Sequence, residues 1–108
     1  MSPSAWAALA DPSRRAVLEL LLERPRPVGE LVEKLKLSQP GTSKHLRVLR
    51  EAGLVWVHRD GQRRVYGIEP QPMAELDAWL APYRRLWEDR LDALERRLDE
   101  TNPKEDKA

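Results

Sequence analysis

The chain has 108 residues, enough for one compact domain, and its 41% hydrophobic and 34% charged composition is that of a soluble globular protein. No apolar run approaches the ~20 residues needed to span a bilayer. The start, Met1-Ser2-Pro3-Ser4, lacks a secretory pattern and there is no cysteine, so a cytoplasmic location is expected, without disulfides, thiol catalysis or thiolate metal sites. The net charge of +1 conceals a division. Residues 1–70 carry 12 Lys and Arg against 8 Asp and Glu, whereas residues 71–108 carry 7 against 10. A basic first part suits a polyanionic partner.

Ala5, Trp6, Leu9 and Ala10 have helical apolar spacing, and that segment stops where Asp11-Pro12, a capping residue and a first-turn proline, opens a second helix over about 12–23. Its spacing predicts that Val17, Leu18, Leu21 and Leu22 are buried and that Arg14, Arg15 and Glu19 are exposed. Pro25-Arg26-Pro27 forbids helix and reads as a stiff connection. A third helix over about 28–35 turns Leu31, Val32 and Leu35 inward. Lys36-Leu37 is the short turn into the next helix, so helix, turn and helix form a helix-turn-helix unit.

The fourth helix begins at Ser38-Gln39-Pro40, where Ser38 caps free backbone N–H groups. Leu46, Leu49 and Ser43 are candidates for its buried side, while Gly41, Lys44, His45 and Arg47 fall largely away from it. Gly53 ends it in the left-handed manner. Leu54 to Arg59 reads as a strand, Asp60-Gly61 as a two-residue turn and Gln62 to Ile68 as the returning strand. If Arg59 pairs with Gln62, then Val55, Val57, Arg59, Gln62, Arg64 and Tyr66 share one face. Leu54, Trp56, His58, Arg63 and Val65 share the other. Glu69-Pro70-Gln71-Pro72 is expected to be a loop. Beyond it Met73, Leu76, Leu80, Tyr83, Trp87, Leu91, Leu94 and Leu98 recur at steps of three or four, predicting one amphipathic helix from Pro72 to Leu98, longer than so small a core can cover. Part of its apolar face must meet something else. Residues 1–100 are expected to form a single domain and 101–108 a disordered tail.

A capped helix followed by a basic-tipped hairpin resembles the second half of a winged helix-turn-helix. The run ALADPSRRAVLELL, then VGELVEKLKLSQPGTSKHLRVLREAGLV, then RDGQRRVY, resembles the ArsR-type bacterial transcriptional regulators. The implied fold is mainly α with a small β-hairpin: five helices and a two-stranded wing. The implied function is a sequence-specific DNA-binding regulator, a repressor by resemblance, acting on an inverted-repeat operator as a homodimer. Carried over, the recognition helix brings Ser38, Gln39, Gly41, Thr42, Ser43, Lys44, His45 and Arg47 to or near DNA, with Arg59, Gln62, Arg63 and Arg64 on the wing. Gln suits adenine and Arg suits phosphate or a narrow minor groove. In the resembled family the first and last helices pack across a two-fold axis, making Trp6, Leu9, Met73, Leu76, Trp79, Leu80, Tyr83, Trp87 and Leu91 candidates for a dimer interface.

The family's metal sensors are where this sequence departs. Pro27, Gly29 and Val32 stand where the arsenical sensors have ligands, and the last helix offers Asp77, Glu88, Asp89 and Asp92 but no histidine. No metal site and no cofactor is expected. With two histidines, no Gly-rich phosphate loop and no nucleophile elbow, the chain is not expected to be an enzyme. The alternative from another class is a winged helix used only for protein association, from which salt-sensitive retention on duplex DNA distinguishes it.

Overall fold

Short polar side chains begin three of the helices of this chain. In a computed structural model, which describes residues 2–101, five helices and three strands follow one another: α1 (Pro3–Leu9), α2 (Pro12–Glu23), β1 (Arg26–Pro27), α3 (Val28–Leu35), α4 (Gln39–Glu51), β2 (Val55–Asp60), β3 (Arg63–Ile68) and α5 (Pro70–Thr101). Ser2 Oγ accepts from the Ala5 N–H, Asp11 Oδ1 from the Ser13 and Arg14 N–H groups at 2.7 and 3.2 Å, and Ser38 Oγ from the Gly41 N–H at 3.0 Å. Each satisfies donors that a helix start leaves without partners. Proline follows in the first turn each time. α4 ends as expected: Gly53 has φ +78°, its N–H donates to the Arg50 carbonyl, and the Leu54 N–H donates to the Leu49 carbonyl at 3.0 Å. That pair of bonds is a Schellman closure.

Residues 2–75 form one compact unit. Its core is Ala5 and Ala8 of α1, Val17, Leu18 and Leu21 of α2, Leu31 of α3, Leu46 and Leu49 of α4, then Leu54, Val55 and Tyr66, with Met73 packed at its margin. Four sequence expectations need correction here. Leu22 is not buried but 78% exposed; at this turn of α2 it is Leu18 and Leu21 that reach the core. Arg14 is not a solvated side chain, because its guanidinium donates to the carbonyls of Ala8 and Ala7 at 2.7 and 3.2 Å. With Arg15, which reaches the Leu9 carbonyl at 2.8 Å, it satisfies the C-terminal carbonyls of α1. The Pro25-Arg26-Pro27 segment is not merely a connection. Arg26 and Pro27 pair antiparallel with Tyr66 and Val65, giving a three-stranded sheet of order β1-β3-β2. Arg26, 4% exposed, is held by the Leu20 carbonyl, Glu23 and Glu30 at 3.0, 3.1 and 2.5 Å. Finally, of the expected Glu69 to Pro72 loop only Glu69 lies outside a helix or strand: α5 starts at Pro70, since prolines in a first turn remove N–H groups that have no intrahelical acceptor.

From Leu76 onward α5 forms a second unit. It continues through Pro82 and reaches Thr101, three residues past the expected end. The rest of the expected tail, residues 102–108, lies outside the described residues.

Candidate nucleic-acid interface

The recognition candidates are sorted by helical geometry. Thr42, Leu46 and Leu49 stand at i, i+4 and i+7 and are all buried, Thr42 at 0% exposure. Thr42 is therefore a core residue, and its hydroxyl makes no hydrogen bond. Ser43, offered as a core candidate, is exposed. The two neighbours exchange roles because one residue along a helix is a turn of 100°. Gly41 is half-buried, and a Cβ there would meet Ser38 Oγ at 2.9 Å, so the absent side chain makes room for the helix cap. His45 is half-buried with its Nδ1 enclosed and unpaired. Elsewhere on that side of the core, the Arg14 backbone N–H chiefly, then the Ser13 N–H and the charge of Arg14, hold the Asp11 carboxyl below its ordinary range.

The hairpin closes one residue later than expected. Asp60 pairs with Arg63 and Arg59 with Arg64, leaving Gly61-Gln62 as the two-residue loop. Gly61 has φ +65° and Gln62 does not have positive φ, the signs of a type II′ turn, whereas an Asp60-Gly61 type I′ turn would need both of its residues there. Arg63 also bonds Asp60 at 3.0 Å across the tip. The pairing sum moves by two, so the faces of the hairpin keep their membership apart from Gln62 in the loop. Val55, Val57, Arg59, Arg64, Tyr66 and Ile68 form one face, apolar at the base and cationic at the tip. On the other face the Trp56 ring lies over Gly67 and 5.3 Å from the His58 ring.

These elements enclose an open groove. Gln39, Pro40, Ser43, Lys44, Arg47, Arg50 and Glu51 of α4 form one wall, Gln62, Arg63, Arg64 and Tyr66 the other, and Pro27, Val28 and Gly29 at the start of α3 close an end. Of the sequence candidates, Gln39, Ser43, Lys44, Arg47, Gln62, Arg63 and Arg64 come together here. Ser38, Gly41, Thr42, His45 and Arg59 do not line it. Arg50 and the α3 start are additions that the sequence reading missed. Arg50 was legible in principle, because Ser43, Arg47 and Arg50 continue one stripe at i, i+4 and i+7. Lys44, Arg47, Arg50 and Arg64 have no acidic partner among the described residues. Arg59 and Arg64 stand directly opposite on adjacent strands, a like-charge pair that destabilises a hairpin in the absence of an anion. The groove can thus supply fixed cations from two sides and, on the α4 side, a hydrogen-bonding amide and hydroxyl.

Of the dimer candidates, Leu9 and Met73 are half-buried against the core and Trp6 is exposed. Along α5, Leu76 and Leu80 are half-buried, while Trp79, Tyr83, Trp87 and Leu91 are exposed. Among the described residues no three His, Cys, Asp or Glu side chains cluster as metal ligands would, and no helix is long and apolar enough to cross a membrane.

Residues 11–56 match the family described as "Bacterial regulatory protein, arsR family". The chain is 49% identical over 72 residues to the HTH-type transcriptional regulator Rv2034 of Mycobacterium tuberculosis, an alignment covering 67% of each protein. It is 31% identical over 75 residues to the transcriptional repressor SdpR of Bacillus subtilis, covering 69% of this chain and 83% of that one. The solution structure of the homodimeric winged helix-turn-helix DNA-binding domain Mb0332 of Mycobacterium bovis superposes with a TM-score of 0.64 at 28% identity, covering 76% of each chain. The capped α4, its turn from α3 and the basic β2-β3 wing are accordingly those of a winged helix-turn-helix, and the chain belongs to the ArsR family of bacterial transcriptional regulators.

Proposed function

We propose that the chain represses transcription by binding an inverted-repeat operator as a homodimer, with DNA binding and dimerisation in one domain over residues 1–100. The observation that carries this reading is the groove lined by Lys44, Arg47 and Arg50 of α4, with Gln39 and Ser43 on the same helix, and by Arg63 and Arg64 of the wing. Cations on both sides suit the phosphates that flank a major groove, and α4 is the element sized to enter it. Gln39 and Ser43, near the N-terminal end of α4, are the readers of base edges. Arg63 and Arg64 are anchors to phosphate or minor groove. Regulator and repressor functions belong to the named relatives Rv2034 and SdpR, and a homodimeric DNA-binding domain to Mb0332. Two copies related by a two-fold axis present paired recognition helices, so half-sites fall about 34–36 Å apart or at a multiple of that spacing.

The test is selection of bound fragments from genomic DNA followed by footprinting. Two symmetric protected half-sites are expected; asymmetric or absent protection would remove the operator reading. The protein-association alternative leaves the cations of the groove without a partner, and is distinguished by binding to duplex DNA that weakens steeply with salt.

A further inference from the structure

The groove between α4 and the wing carries one charge of the wrong sign. Of the described residues that line it, Lys44, Arg47, Arg50, Arg63 and Arg64 are cations and Glu51 is the one carboxylate. Lys44, Arg47 and Glu51 stand at i, i+3 and i+7, so the carboxylate continues the cationic stripe of α4 and ends it. It is exposed and forms no ion pair with a described residue, although Arg47 lies one turn before it and Arg50 beside it in the chain. The helix does not favour it either. Glu51 is the last residue of α4, where aligned peptide dipoles leave partial negative charge and a cation is the stabilising choice. No contact within the fold accounts for this carboxylate, so its use lies in what the groove holds.

A carboxylate that faces a duplex can accept a hydrogen bond from a cytosine amino group, or it can repel phosphate. Position decides between the two. Glu51 lies about 18 Å beyond Gln39 along the helix at 1.5 Å per residue, and recognition helices reach base edges with their N-terminal residues. Arg47 lies only about 6 Å before it on the same axis, within the Debye length of about 10 Å at 0.1 M salt. A phosphate that slips from Arg47 toward the end of α4 therefore comes within reach of the carboxylate.

Resting on the DNA-binding reading above, we infer that Glu51 sets specificity by repulsion, weakening the loosely placed complexes with random DNA more than the complex with the operator. On the operator, base contacts from Gln39 and Ser43 fix one register, in which phosphates rest on Lys44, Arg47 and Arg64, clear of the end of α4. Random DNA has no base contact to hold it and slides through many registers. Those that bring a phosphate to the end of α4 meet Glu51. Specificity is a difference between two affinities, and a repulsive group widens it by weakening the wrong complex.

The test compares the wild type with Glu51→Gln and Glu51→Asp, each checked for helicity, on a random duplex and on the footprinted operator fragment. Glu51→Gln keeps the shape and removes the charge. At low salt it should bind the random duplex about threefold more tightly, the size of a unit-charge repulsion at about 6 Å in water. That gain should shrink as salt rises, and on the operator it should stay below about 1.5-fold. Glu51→Asp keeps the charge and should behave as the wild type. Random-duplex affinity that does not rise, an equal rise on both DNAs, or a Glu51→Asp variant that matches Glu51→Gln would each overturn the inference while DNA binding stands. Loss of operator affinity alone would overturn it too, making Glu51 a reader of bases. A wild-type chain that binds neither duplex in a salt-sensitive way, or shows no preference between them, removes the operator reading itself, and this role with it.

Discussion

At Gly67 there is no room for a side chain: a Cβ would lie 2.1 Å from Trp56 Cζ2 and 2.4 Å from Cε2. Gly67→Ala must push the indole off the sheet, and the expected loss is about 1–3 kcal/mol of stability in a denaturant titration. Adding Trp56→Val should recover part of that loss, and no recovery would locate the strain elsewhere. Thr42 makes the opposite prediction. Its buried hydroxyl has no hydrogen bond, so Thr42→Val, which keeps the shape, should be neutral or stabilise by up to about 1 kcal/mol and leave operator preference unchanged. A change of preference in that variant would return Thr42 to the DNA face. Two carboxyls respond to pH. The Arg14 N–H chiefly, with the Ser13 N–H and nearby positive charge, lowers the pKa of Asp11; hydrogen bonds from Arg24 and then Arg26 lower that of Glu30. A depressed folded pKa contributes stability above the unfolded value of about 4 and loses it as pH falls through the folded value. Melting temperature should therefore drop below about pH 4, and the drop should be smaller in an Asp11→Asn, Glu30→Gln double variant.

At the level of elements, α4 and the wing are expected to make different kinds of contact. Replacing Gln39 or Ser43 with Ala should reduce discrimination between operator and random DNA by about 1–3 kcal/mol for each lost base contact, whereas Arg64→Ala should weaken both alike. Competition binding with the two DNAs separates the patterns, and the reverse result would exchange reader and anchor. The helices were legible because their signals are local: Asp11-Pro12, Ser38-Gln39-Pro40 and Gly53 mark boundaries through their own backbone chemistry. Strand β1 was not, because two residues, one of them a proline, show no period and gain strand geometry only by pairing with Tyr66 and Val65, about forty positions away. The hairpin register was half legible. Asp60-Gly61 carries the composition of a type I′ turn, but the Arg63–Asp60 ion pair and Gly61 at the first loop position accompany the shift to Gly61-Gln62. In the groove, seven of twelve proposed contacts line the same surface, while the buried Thr42 shows how an error of one residue on a helix exchanges core and surface.

For the molecule as a whole, DNA binding should not depend on a transition metal. Pro27, Gly29 and Val32 have no ligating side chains, and α5 has no histidine. Operator affinity is expected to be the same with chelator and with low micromolar zinc; a stoichiometric zinc ion that releases DNA would contradict this. DNA binding rests on the groove between α4 and the wing holding the phosphate backbone. It is tested most directly by the salt dependence of affinity for a random duplex, comparing the wild type with Arg64→Ala and Arg47→Ala. Each lost phosphate contact should reduce the slope of log affinity against log salt by about 0.9. Unchanged slopes and affinities in both folded variants would show that DNA, if it binds, binds somewhere else.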